Sequence, residues 1–358
     1  MRLAILFVFM SLQGLMLAQQ APPRVVSEIE SLAKQYAAEH DIPAINMGVV
    51  LDGQVHFINY GVAKRTDNLQ TSENSIFQIA SVGKVLTGMV VNDLVQEGKL
   101  DVNASILTYL PETYSKKTKS KLEHITVRDL LHHRSGLPRQ SKVIKRKNDE
   151  PIIYDYTASD FEEDFEKMKL EGDEAFRYSN FGYAVLGYIA EWVSGVSFEE
   201  QLSALAQKYG MESTSVACKN RSLLVTPYNE DDRALETQNW EMGKLAPPSG
   251  LYSSVSDLTN LLEAQIEVYS GDDQNNRLYL TNDTREAWGG TGISYGYGLF
   301  DWGNGGFGHG GGMDGYGSEY WFHPKGRVGF VLLTSSGGKW VTELSKEINK
   351  MLLNADTE

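Results

Sequence analysis

Apolar residues recur every three to four positions in VVSEIESLAKQYAAEH, residues 25–40, which predicts an amphipathic helix. The pattern then changes to two strand-like runs in INMGVVLDGQVHFINYGVA, joined at Asp52-Gly53, a strong hairpin signal. From Ser81 to about residue 270 helical spacing dominates, as in VRDLLHHRSG, ASDFEEDFEKMKL, FGYAVLGYIAEWVSG, FEEQLSALAQKYG and VSDLTNLLEAQIEV. Residues 289–338 are rich in glycine and aromatics and read as strands: SYGYGLFDWG, GGFGHGGG, YGSEYWFHP and RVGFVLLTSS, with a turn at Pro324-Lys325-Gly326. WVTELSKEINKMLL predicts a closing amphipathic helix.

Strands therefore stand at both ends of the chain with a long helical block between them. The economical assembly is α/β (α+β). One antiparallel sheet is built from both chain ends with the terminal helices on one face, and the inserted, mainly helical block forms a second subdomain. The expected limits are about 24–84 and 289–355 for the α/β part and about 85–288 for the helical part of one domain over 19–355. A site between the two would draw Ser81 from the first boundary and residues near His309 from the last strands.

The first residues, MRLAILFVFMSLQGLMLAQQ, combine Arg2, a long apolar run and then small and polar residues. That is the pattern of a secretory signal peptide with cleavage after Ala18, so the expected location is secreted or periplasmic. Gln13 and Gly14 interrupt the run, which disfavours a membrane anchor, and no second such run follows. The single cysteine, Cys218, permits no internal disulfide and is read as a buried, small apolar residue. A formal net charge of -14 disfavours nucleic acid as a partner. The basic runs at 116–121 and 142–147 are read as solvated loops.

Three short stretches carry candidate chemistry. Ser81 and Lys84 in ASVGK stand three residues apart at the head of an apolar helix, so they share a face at about 5–6 Å between Cβ atoms. Burial of that helix would lower the lysine's pKa, and a neutral amine accepts a serine proton. The Ser81 N–H at the helix start is free to stabilise an oxyanion. The structural alternative is a capping serine with a lysine reaching out to solvent. Tyr178 and Asn180 in FRYSNFGY precede a helix; a phenol relays protons if neighbouring cations lower its pKa, and an amide holds a substrate amide. The alternative is a core tyrosine and an N-capping asparagine. His309 is followed by Gly310, Gly311 and Gly312, whose missing side chains let a substrate lie along the strand edge. The alternative there is a glycine-rich bulge. Two other serine–lysine pairs, Ser31/Lys34 and Ser336/Lys339, lack this context, and Ser294 in GISYG lacks the strand-then-helix setting of a nucleophile elbow.

In order and spacing, SVGK, YSN and HGG resemble the serine β-lactamase-like superfamily, nearest its class C branch with the related D-alanyl-D-alanine carboxypeptidases, D-aminopeptidases and β-lactamase-like esterases. LVQEGKLDVNASILTYLPE, ITVRDLLHHRSGLP and PPSGLYSSVSDLTNLL are similar to that family too, and the resemblance spans roughly residues 27–350. It implies a β-lactamase/transpeptidase-like fold with no metal or organic cofactor. Ser81 would be the acylated nucleophile, Lys84 its base and Tyr178 the proton shuttle. Asn180, His309 and Gly311 would contact substrate, and the N–H groups of Ser81 and Gly312 would form the oxyanion hole. Two departures bear on substrate. Gly310 replaces a hydroxyl residue that helps hold a carboxylate, and His309 stands where many members have lysine. The implied activity is an exported serine hydrolase acting through an acyl-enzyme on a small ester, amide or D-amino-acid peptide. A β-lactamase, or a binding protein that keeps the fold without the chemistry, is the alternative.

Overall fold

The computed structural model describes residues 23–144, 146–147, 152–172, 175–271 and 284–355. The expected signal peptide over 1–18 and parts of the basic run at 142–147 lie outside the described residues.

Helix α1 (Arg24–Glu39) leads into strands β1 (Ala44–Leu51) and β2 (Gln54–Gly61). Asp52 and Gly53 both adopt positive φ, 52° and 72°, as a tight two-residue hairpin turn requires. A short strand β3 (Ile76–Gln78) precedes α2 (Gly83–Gln96), followed by α3 (Lys116–Leu122) and α4 (Val127–Leu131). Strands β4 (Arg146–Lys147) and β5 (Ile152–Tyr154), helices α5 (Ala158–Lys167), α6 (Asn180–Ser194) and α7 (Phe198–Lys208), and strands β6 (Trp240–Glu241) and β7 (Tyr252–Ser254) continue the chain. Helix α8 (Val255–Ser270) then gives way to β8 (Arg285–Glu286), β9 (Ser294–Gly296), β10 (Leu299–Asp301), β11 (Phe307–Met313), β12 (Tyr316–His323) and β13 (Val328–Thr334), closed by α9 (Lys339–Ala355).

The eight-stranded sheet runs β2-β1-β13-β12-β11-β10-β9-β8, and its pairings are antiparallel. The antiparallel sheet expected from both chain ends is thus present. β1 is buried at every position because it lies inside the sheet, between β2 and β13. On one face α1 and α9 pack through Ile29, Leu344 and Ile348 against Met47, Phe330 and Leu332. The opposite face meets a larger apolar cluster that includes α2, α6 and α8. Helix α8 falls inside the span 85–288 but packs on β1 and β13, since its stripe of Leu258, Leu261, Leu262 and Ile266 is buried.

Two expectations about polar segments need correction. The basic run at 116–121 is not a loop; it forms α3, capped where the Ser115 hydroxyl accepts the Thr118 N–H. Lys121 donates to the carbonyls of Phe165, Glu166 and Met168, and these acceptors draw the run onto the end of α5. Cys218 is half-buried rather than buried, and burial pushes its thiol pKa up.

Candidate active site

Strand β3 pairs with β7, which fixes the chain just before Ser81. Ala80 then takes φ 46°, a left-handed conformation that costs a residue with a Cβ. The strain is held in place by burial of Ala80 and by the Ser318 hydroxyl, which donates to the Ile79 carbonyl at 2.7 Å. Ser81 therefore sits in a 3-10 turn over Ala80–Val82, ahead of α2 rather than as its first residue. Lys84, in the first turn of α2, is 0% exposed. Its Nζ lies 3.2 Å from Ser81 Oγ and donates to the Pro248 carbonyl at 2.8 Å. Burial, with the Arg139 charge adding to it, holds the amine well below the usual lysine pKa. The lysine does not reach out to solvent.

Tyr178 closes the site from the helical side. Its hydroxyl lies 3.2 Å from His309 Nε2 and is near enough to Ser81 for the serine hydroxyl to act on it electrostatically. Lys84 Nζ is 4.8 Å from the centroid of the tyrosine ring, and the Arg139 guanidinium is 5.3 Å from it. The expectation that cations lower this phenol's pKa does not hold. Burial raises it, and the Ser81 hydroxyl and Arg139 only partly offset that rise. His309 Nδ1 lies 2.6 Å from the Gly310 carbonyl, which fixes Nδ1–H as donor and leaves Nε2 to accept from the Tyr178 hydroxyl. Burial, then the neighbouring Lys84, push the imidazole down to about 3, so it is neutral.

Asn180 is the first residue of α6, not its cap. The Ser179 hydroxyl accepts the Gly182 N–H in that role, at 2.8 Å. The Asn180 side-chain carbonyl is buried and has no hydrogen-bond partner among the described residues. On β11, a Cβ at Gly311 would stand 2.9 Å from the Ser81 nitrogen and 2.3 Å from Ser318 Oγ. Only glycine lets the strand approach the serine turn this closely. A Cβ at Gly312 would meet nothing within 4 Å. Pairing of β10 with β11 ends at Phe300↔Gly308, so the outer edge from His309 onward is open to a ligand.

The structure thus gathers Ser81, Lys84, Tyr178, His309 and Gly311 in one site, with Gly312 and Asn180 on its borders. Sequence reading missed two neighbours. His133, at φ 55°, is buried with its ring 4.3 Å from that of Tyr178, and its Nδ1 accepts the Ser179 N–H at 3.1 Å. Burial, with Lys84 and His309 nearby, holds it well below the usual histidine pKa. Arg139 stands over the same tyrosine. The HHRSGLPR stretch contains both, but no spacing in it points at a tyrosine some 40 residues further on. The other serines stay apart. Ser31 bonds back to Ser27 on α1, and Ser294 lies in β9 between β8 and β10 with no helix after it. Among the described residues no cluster of His, Cys, Asp and Glu fits a metal ion.

The family model described as Beta-lactamase matches residues 29–351. A beta-lactamase of Providencia stuartii is 23% identical over 266 residues, covering 73% of this chain and 65% of that protein. Penicillin-binding protein 4 of Amycolatopsis lactamdurans is 28% identical over 165 residues, covering 46% of this chain and 42% of its own length. The matches thus span less than two thirds of these curated relatives. Among solved structures, the class C beta lactamase of Rhodobacter sphaeroides superposes with TM-score 0.76 at 17% identity, covering 92% of this chain and 99% of that one. The beta-lactamase/D-alanine carboxypeptidase of Pseudomonas syringae gives TM-score 0.75 at 19% identity, covering 93% and 99%.

Proposed function

The chain belongs to the beta-lactamase family, and from that premise we propose that it is a serine hydrolase working through an acyl-enzyme on a small ester, amide or D-amino-acid peptide. The observation that carries this reading is the fully buried Lys84 within 3.2 Å of Ser81 Oγ, with burial holding its amine toward the neutral form. The family is consistent with serine hydrolase chemistry.

In the first step the Lys84 lone pair takes the Ser81 proton as Oγ bonds to the substrate carbonyl carbon. The Lys84 N–H bond to Pro248 keeps the amine aimed at the serine during that transfer. Charge that builds on the carbonyl oxygen meets the N–H groups of Ser81 and Gly312. The proton then passes through Tyr178 to the leaving group as its bond to the acyl carbon breaks, leaving an ester on Ser81. Water attacks that ester, giving its proton back along the same path, and the acid product and free Ser81 are released. His309 takes part as a neutral acceptor that orients the Tyr178 O–H. The unpaired Asn180 carbonyl is available to a substrate N–H. We read residues 1–18 as a signal that exports the enzyme, so the substrates are those met outside the cytoplasm.

The test is labelling with a fluorophosphonate, followed by peptide mapping. Label on Ser81 that disappears in Lys84→Ala is the expected result. Label on another serine, or full labelling without Lys84, overturns the assignment. Turnover of nitrocefin as fast as that of simple esters would turn the reading toward a β-lactamase. His309, neutral where many family members have lysine, offers no charge to a β-lactam carboxylate, so slow turnover is expected.

A further inference from the structure

On the far side of β11 from Ser81, a cavity of about 580 Å³ lies between the strands and α9. Trp302, Trp321, Lys346, Asn349 and Leu353 line it around Glu319. Residues alternate across a strand, so His309 and Gly311 face the serine while Gly310 faces this cavity. Gly310 is the cross-strand partner of Glu319, and a Cβ on it would stand 2.7 Å from Glu319 Oε1. The carboxyl group therefore occupies the space a side chain at 310 would need. Adding the two close approaches, one Cα–Cα step and the two Cα–Cβ bonds puts it within about 13 Å of the Ser81 nitrogen.

Glu319 has no hydrogen bond or ion pair among the described residues, and burial pushes its carboxyl up to about 8. Of the other titratable residues along the cavity, Lys346 of α9 faces it, while His309 of β11 and Tyr320 of β12 border it and turn their side chains to the opposite face. Lys346 is exposed and forms no ion pair with Glu319; the Tyr320 hydroxyl is spent on Gln265. A carboxyl with no counter-charge, set against Gly310 in this cavity, is a recognition element without its ligand.

An extended substrate laid along that edge sends alternate groups to alternate faces. Those on one face meet Tyr178 and His309; those on the other enter the cavity. A carboxylate there would meet like charge. A quaternary or protonated amine would offset the charge and lay its carbons against Trp302 and Trp321. We propose that Glu319 forms a subsite for an organic ammonium group carried next to the scissile ester or amide. The proposal rests on the hydrolase reading above and narrows its substrate class.

The experiment uses matched esters bearing a trimethylammonium, a tert-butyl or a carboxylate group close to the scissile carbonyl, on its acyl or alcohol side. The ratio of kcat/KM for ammonium over tert-butyl cancels whatever titrates in the catalytic groups themselves. Ionised Glu319 is the binding form, so the ratio is expected to climb from near unity at pH 6 to about tenfold or more at pH 9. At pH 9, where Glu319 is ionised, the carboxylate ester is expected to be the poorest of the three. Glu319→Gln should flatten the ratio at every pH, whichever way the tert-butyl rate itself moves. Lys346→Glu, on the exposed side of α9, should raise it. A ratio near unity in the wild type, or one that survives in Glu319→Gln, overturns the subsite.

If no ester is turned over and Ser81 is not labelled, it is the hydrolase reading that fails. Tryptophan fluorescence quenching by benzyltrimethylammonium then judges the subsite alone. Saturable quenching lost in Glu319→Gln supports it, and equal or absent quenching in the two proteins overturns it.

Discussion

Lys84 lies in a pocket where burial and Arg139 act on it and no carboxylate does. Its lowered pKa is therefore a cost that the fold bears. The unfolded chain binds a proton on this amine up to pH of about 10.5, while the folded chain releases it earlier, so this contribution strengthens the fold as pH rises toward 10.5 and weakens it as pH falls. Urea unfolding of wild type and Lys84→Met at pH 7 and pH 9.5 should show the difference moving in favour of wild type at the higher pH, at no more than about 1.4 kcal/mol per pH unit. A difference that does not change with pH would mean the amine is charged in the folded protein. Tyr178→Phe keeps the ring between His133 and Lys84 but removes the hydroxyl, and should lower kcat by about 10²–10⁴-fold with little loss of stability, read from ester kinetics and thermal melts. Of these residues, Ser81 and Lys84 were legible because three-residue spacing on a helix turn is local information. His133, Arg139 and Glu319 were not. Each reaches its place through the packing of distant segments, and the same burial reverses the direction in which the Tyr178 pKa moves.

Among elements, the turn Ala80–Val82 and strand β11 meet so closely that their joint tolerance is unequal from one residue to the next. Gly311→Ala puts a methyl group against the Ser81 nitrogen and Ser318 Oγ, and should cost about 1–3 kcal/mol and most of the Ser81 labelling rate. Gly312→Ala faces open space and should melt within about 0.5 kcal/mol of wild type. Equal losses in the two variants would show that strand flexibility, not the contact with the serine turn, sets the requirement. The longer strands β1, β2 and β11 to β13, the helices with apolar stripes and the Asp52-Gly53 turn were readable because each follows its own periodicity or turn chemistry; the two- and three-residue strands β3 to β8 carry too little pattern and were not. The left-handed Ala80 was not, since alanine gives no local signal for positive φ; only the clamp from Ser318 and β3 imposes it. α3 escaped notice for a related reason. Its sequence is mostly lysine, and the carbonyls that hold it belong to α5.

At the scale of the whole molecule, the sheet separates two apolar layers, and the chemistry faces only one of them. Leu344 is wholly buried in the α1/α9 layer. Leu344→Ala should cost about 2–5 kcal/mol in chemical denaturation, while kcat/KM for the tert-butyl ester at 25 °C stays within about twofold. A large drop in that rate would show that the two layers are coupled through β11. The order of strands also has a bearing on time. β1 has β13 as its neighbour, and Ile45 lies opposite Thr334, so most of the chain separates the two partners. A nascent chain leaving the ribosome presents Ser81 and Lys84 early, but the strand that frames them, β11, and the two that tie it to β1, β12 and β13, are made last. Until then the serine has no wall of glycines beside it, and its hydroxyl is an ordinary alcohol. On the proposed hydrolase reading, synthesis itself acts as the safety catch, and a polypeptide cut short before Val328 should carry every residue of the SVGK motif and show no fluorophosphonate label on Ser81.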